Sequence, residues 1–147
     1  MILLAGKYVL PELQRVLLRP SVERANGRPM WCAEITVNSA KLWLWLYCSI
    51  FEKWTFDYTI RSNALPRNVT VTDERSGCHA HLRPNEGEEG LPCGARKWYL
   101  SNWMRGAQTG SASGNFSLRE LTLVTGQDAV ALQVSLRQGA AACFAWL

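Results

Sequence analysis

The 147-residue sequence has no apolar run long enough to cross a membrane. Its longest such run, 42–51, is about half of the ~20 residues that a spanning helix needs. The apolar start at Met1 is interrupted by Lys7 and Pro11 before the hydrophobic segment of a signal peptide is complete. We therefore expect no secretion signal, no membrane partner, and a location in the cytoplasm or in a virion.

The common catalytic and phosphate-binding motifs are also missing. The sequence contains no G-x-G-x-x-G after a strand, no G-x-x-x-x-G-K-[ST], no G-x-S-x-G, no H-E-x-x-H and no Cys-x-x-Cys. These motifs supply the phosphate-binding loops, nucleophiles, zinc ligands and redox thiols of the corresponding enzyme classes. Their absence favours a protein that binds or assembles over one that catalyses a reaction.

Clusters of one charge are lacking as well. Sixteen Lys and Arg against 12 Asp and Glu give a formal charge of +4, but the basic residues are scattered along the chain. Proteins that recognise nucleic acids usually present a basic stripe, so a specific nucleic-acid ligand is not expected. The five cysteines are an odd number, and without a secretion signal we expect reduced thiols.

Tryptophan, in contrast, is abundant, with seven in the chain. Each is a large, stiff side chain that serves as an anchor in a core or in an interface. Hydrophobic residues make up 48% of the sequence, which is enough to form a core. The length fits one β-rich domain, residues 1–147.

Alternation of apolar and polar residues predicts strands in the first half of the chain. The predicted strands are 13–18, 21–24, 31–37 and 54–60. Asn26-Gly27 predicts a tight hairpin turn, and 38–39 breaks the next strand. In 54–60 the polar positions Thr55 and Thr59 are expected to face solvent.

The apolar run 42–51 is hydrophobic on both alternating faces, so periodicity does not separate a central strand from a buried helix. We interpret it as a strand because an alternating strand follows it. Trp43, Trp45 and Tyr47 then line one face, and another subunit is one source of cover for that face.

The second half predicts fewer strands. Residues 74–94 predict a long polar surface loop, 68–73 a short strand before it, and 95–105 a short helix. Residues 118–124 and 130–136 predict two strands joined at 125–128, and 143–147 a last strand. The whole pattern predicts a mainly β fold, an antiparallel sandwich or partly closed barrel of about seven or eight strands with one short helix.

Both histidines lie in Cys78-His79-Ala80-His81, and Cys93 follows in the same predicted loop. Cysteine and histidine are zinc ligands, and a turn that gathers Cys78, His81 and Cys93 leaves the fourth position to His79, Glu86 or water. The spacing matches no standard zinc finger, so a solvated loop is the simpler interpretation. We expect no cofactor and keep zinc, or a Cys/His enzyme, as alternatives.

The candidate interface residues are Trp43, Trp45, Tyr47, Trp98 and Trp103. A strand apolar on both faces, surplus tryptophan and a long polar loop are typical of a domain that builds subunit interfaces. The sequence therefore predicts a non-enzymatic structural or assembly protein, in a homo-oligomer or multi-protein assembly such as a bacteriophage tail or connector. The alternative is a small regulatory or inhibitory protein-binding module.

Overall fold

The computed structural model describes residues 1–5, 9–60, 80–82, 85, 88, 90–101, 104 and 117–145. In these residues there are nine strands, a 3₁₀ turn (Pro11–Leu13) and one helix, α1 (Gly126–Ala145). The strands are β1 (Ile2–Ala5), β2 (Arg15–Leu17), β3 (Arg19–Ala25), β4 (Arg28–Val37), β5 (Ala40–Cys48), β6 (Trp54–Thr59), β7 (Ala80–Leu82), β8 (Gly94–Leu100) and β9 (Ser117–Val124).

All nine strands belong to one antiparallel sheet, in the order β2-β1-β9-β8-β7-β6-β5-β4-β3. The two edge strands, β2 and β3, are separated in the chain by Leu18 alone. Because one residue of a strand spans only ~3.3 Å, the two edges meet at Leu18 and the sheet curls back on itself. The N–H of Leu18 donates to the carbonyl of Met1 at 2.8 Å, whereas Arg19 pairs with Cys32 of β4. The mainly β, antiparallel prediction with one helix is confirmed.

The hydrophobic core lies inside the curl. Alternate residues of the central strands point inward and are buried, among them Leu44 and Leu46 of β5, Trp54 and Phe56 of β6, Trp98 and Leu100 of β8, and Leu121 and Leu123 of β9. Leu13 of the 3₁₀ turn and Met104 are fully buried where they close one end of this core. A hydrogen bond of 2.8 Å from the N–H of Leu10 to the carbonyl of Met104 holds that end together.

The hairpin predicted at Asn26-Gly27 joins β3 to β4. Both residues have positive φ, 52° and 75°, as the two-residue turn that matches strand twist requires. The predicted break at 38–39 is a second such turn, with Asn38 at 50° and Ser39 at 65°. The run 42–51 is confirmed as a strand over Ala40–Cys48, paired with β4 and β6.

The helix predicted at 95–105 is wrong over its first part, which forms β8. Trp98 and Leu100 are buried and the intervening Tyr99 is exposed, which is the period of two that a strand requires. β8 pairs with β9 along its whole length, from Gly94 to Leu100. Tertiary pairing therefore overrides the local preference of this short segment for a helix.

The strands predicted at 130–136 and 143–147 are wrong where the structure describes them, because Gly126–Ala145 is helical. The predicted hairpin needs a free side of β9, but β9 is paired with β1 on one side and β8 on the other. A further strand has no position next to β9, so the chain leaves the sheet. The helix begins at Gly126, whose φ is +61°.

The predicted 74–94 loop contains a strand that the sequence does not reveal. β7, only three residues long, lies between β6 and β8 in the sheet. Its pairing places His81 opposite Tyr99. The strand predicted at 68–73 lies outside the described residues.

Candidate functional site

The candidate zinc ligands that the structure describes, His81 and Cys93, are not brought together. The ring of His81 stacks on Tyr99 with centroids 5.2 Å apart. Cys93 is exposed just before β8, with its Sγ 3.6 Å from Thr125 Oγ1. Six residues of extended chain, roughly 20 Å, separate Cys93 from Tyr99, and His81 lies beside Tyr99. Cys93 and His81 are therefore too far apart to bind one zinc ion, whose ligands lie at ~2.0–2.3 Å from the metal. Since Cys78 and His79 lie outside the described residues, zinc binding stays an untested alternative.

No group of three or more His, Cys, Asp or Glu side chains with metal-binding geometry is found in the described part of the chain. Nor does this part contain a helix that combines the length and the apolarity needed to cross a membrane.

The predicted interface aromatics divide between the two faces of the sheet. As predicted, Trp45 and Tyr47 lie on the face of β5 opposite the leucines. They are only 4% and 0% exposed within a single chain, in a second buried cluster with Ala25 and Met30. Trp43, on the same face, is half-buried. Trp98 points into the core, where its ring centroid lies 5.2 Å from that of Phe56. Trp103 lies outside the described residues. An interface role for these residues stays a prediction, and Trp43 retains the most surface for it.

The outer face of β6, which the sequence predicts to be solvent-exposed, is buried at Thr55 and Asp57 and half-buried at Thr59. Thr55 is 2% exposed and its hydroxyl donates to the carbonyl of Lys53 at 3.1 Å. Thr59 Oγ1 accepts a 2.9 Å hydrogen bond from Trp45 Nε1. These polar side chains are compatible with burial because each has a hydrogen-bond partner.

Asp57 lies between these two threonines on the same buried face. Burial raises the pKa of its carboxyl to about 7, although hydrogen bonds from the Tyr58 backbone and the Tyr47 side chain act in the opposite direction. The Tyr58 N–H donates to Asp57 Oδ1 at 2.8 Å. The carboxyl therefore exchanges its proton near neutral pH. The sequence does carry a signal for this buried acid, because Asp57 stands between the aromatic residues Phe56 and Tyr58 in a strand next to the Trp-rich run.

Helix α1 presents an apolar surface that the strands do not cover. Ala129 in its first turn is buried, but Val130 and Val134 are 61% and 48% exposed. These two valines are four residues apart, so they lie on one side of the helix, and we call them the α1 apolar face. Within the described residues, α1 packs along none of the strands.

A cavity of about 700 Å³ opens at the end of the curled sheet opposite Leu13 and Met104. We call it the end cavity. It is lined by the first residues of β4, β6 and α1, by the segment before β8, and by Met1, Pro29, Trp31 and Thr125. The sequence does not reveal this cavity, because its walls come from segments far apart in the chain.

No protein-family model matches this chain, and comparison with curated proteins and with solved structures gives no significant match.

Proposed function

We propose that the protein is a structural or assembly subunit that associates with a second copy of itself through α1. The observation that carries this proposal is the α1 apolar face, exposed on a helix that leaves the sheet after one packed turn. We propose that the domain is a repeated subunit of a larger particle, for example a bacteriophage tail or connector.

The composition of α1 supports this proposal. Its 20 residues include two charged side chains, Asp128 and Arg137, so ion pairs contribute little to holding the helix. In proteins most of the stability of a helix comes from packing of an apolar face and not from intrinsic helix propensity. Transfer of a valine side chain from water into a packed interface contributes about 1.5 to 3 kcal/mol. A partner that covers Val130 and Val134 would therefore stabilise the helix.

A second copy fits because the α1 apolar face is self-complementary. In an antiparallel pair of helices whose twofold axis passes midway between the two valines, Val130 of each copy lies opposite Val134 of the other. Such isologous contacts are the commonest basis of soluble dimers. Val130 and Val134 carry no charge, so their burial incurs no penalty for an unpaired ion.

The alternative is a regulatory or inhibitory module that remains monomeric and docks α1 on another protein. The two functions differ in the stoichiometry of the purified protein. Sedimentation equilibrium at low and high micromolar concentration should show a monomer–dimer equilibrium for the native chain.

Val134→Glu should shift this equilibrium to the monomer, because the carboxylate would be buried in the interface. The matched control is Val22→Glu, at a β3 position that is 97% exposed, which should dimerise like the native chain. A native chain that is monomeric at every concentration, or a Val134→Glu variant that dimerises as well as Val22→Glu, would contradict the proposal. Circular dichroism checks that both variants retain the helix.

A further inference from the structure

We propose that the end cavity binds a small planar aromatic carboxylate, with its ring against the open part of Trp31 and its carboxylate at Arg28. This binding site is independent of the α1 apolar face.

The aromatic part of the cavity is held in place by the sheet. The Trp31 and Trp54 rings have centroids 6.2 Å apart and an interplanar angle of 50°. Trp54 is 2% exposed, and its Nε1 donates to the carbonyl of Gly90 at 3.0 Å. Trp31 is half-buried, so part of its ring is open to the cavity. Trp54 therefore holds the Trp31 ring in place from the buried side, and the open part of Trp31 is the surface on which a flat ring packs by stacking or edge contacts.

The polar part of the cavity is positive. Arg28 is half-buried, and its Nη1 lies 3.5 Å from Cys48 Sγ. Among the described residues no carboxylate lies within ion-pair distance of Arg28, and none lines the cavity. A guanidinium presents two parallel N–H donors, the geometry that a carboxylate accepts. The positive end of the α1 dipole at Gly126, which also lines the cavity, adds to this preference for an anion.

The size and rigidity of the cavity fit a small molecule. Its volume of about 700 Å³ falls within the ~300–1,000 Å³ that is usual for such sites. The wall before β8 is held by the Glu88–Arg96 ion pair and by a 2.8 Å hydrogen bond from the N–H of Cys93 to the carbonyl of Leu91. These contacts restrain this wall, which lowers the entropic cost of binding.

The test uses 2-naphthoate as the probe and 2-naphthamide, its uncharged analogue, as the matched ligand. Binding to the native chain is measured by isothermal titration calorimetry. We expect naphthoate to bind at least about tenfold more tightly than naphthamide, because a carboxylate accepts stronger hydrogen bonds from a guanidinium than a neutral amide does. Arg28→Gln should remove this preference. Arg15→Gln, at an exposed position on β2, should retain it.

The position of the probe is checked at Cys93, an exposed thiol in the cavity wall. Bound naphthoate should slow alkylation of Cys93 by iodoacetamide in the native chain. The proposal is overturned if naphthoate does not bind, if naphthamide binds equally well, or if Cys93 is not protected. It is also overturned if a folded Arg28→Gln variant keeps the preference. Should that variant fail to fold, the ligand pair and the Cys93 assay on the native chain still decide.

Discussion

The buried carboxyl of Asp57 should make the protein less stable as the pH rises. Its ordinary pKa is 3.8, and burial raises the pKa to about 7 in the folded chain. Between these two values the folded state holds a proton that the unfolded state has released, so the free energy of unfolding falls with increasing pH. Below 3.8 both states are protonated and the group contributes no difference.

The difference of about 3 pKa units corresponds to about 4 kcal/mol, since one unit is ~1.36 kcal/mol. That is a large fraction of the ~5–15 kcal/mol that stabilises an ordinary domain. Asp57→Asn removes the titration and keeps an oxygen to accept the 2.8 Å hydrogen bond from the Tyr58 N–H. The variant should therefore gain stability relative to the native chain by ~1.4 kcal/mol per pH unit up to about pH 7, and level off above it.

The assay is urea unfolding followed by tryptophan fluorescence at several values between pH 5 and pH 8. Glu23→Gln, which removes an exposed carboxyl on β3, is the control and should follow the native chain at every pH. The reasoning is refuted if Asp57→Asn and the native chain keep a constant difference in stability across this range. It is also refuted if the difference shrinks as the pH rises.

Two further predictions concern buried side chains. Trp45→Ala should lower the free energy of unfolding by ~3–5 kcal/mol, because Trp45 is 4% exposed and its Nε1 donates a hydrogen bond to Thr59. Trp43→Ala, at the half-buried neighbour, should lower it clearly less. Equal losses of stability in urea unfolding would contradict this packing. Burial raises the pKa of the Cys32 thiol to about 11 and also raises the pKa of Cys48. After iodoacetamide treatment of the folded protein at pH 8, peptide mapping should therefore find Cys93 modified and Cys32 and Cys48 protected until urea is added. Similar alkylation rates for all three thiols would contradict this prediction.

Local chemistry allowed the sequence to predict β2 to β6, although not β1. Asn26-Gly27 specifies its turn because these two residues tolerate positive φ, and the alternation in 31–37 and 54–60 specifies strands with one apolar side. The strand at 42–51 followed from its neighbours, since a strand with two apolar faces needs a partner on either side. Each of these signals depends on residues close together in the chain.

The tertiary structure decided what depends on distant neighbours. The chain at 130–136 is a helix because β1 and β8 already occupy both sides of β9, and 94–100 is a strand because β9 is available to pair with it. Asp57 is buried on a face that its own alternation marks as solvent-exposed. Arg28, Trp54 and Gly126 meet at the end cavity only once the sheet has curled. Spacing along the chain predicts turns and single strands, whereas curvature and strand order determine which faces are covered and which residues form a site.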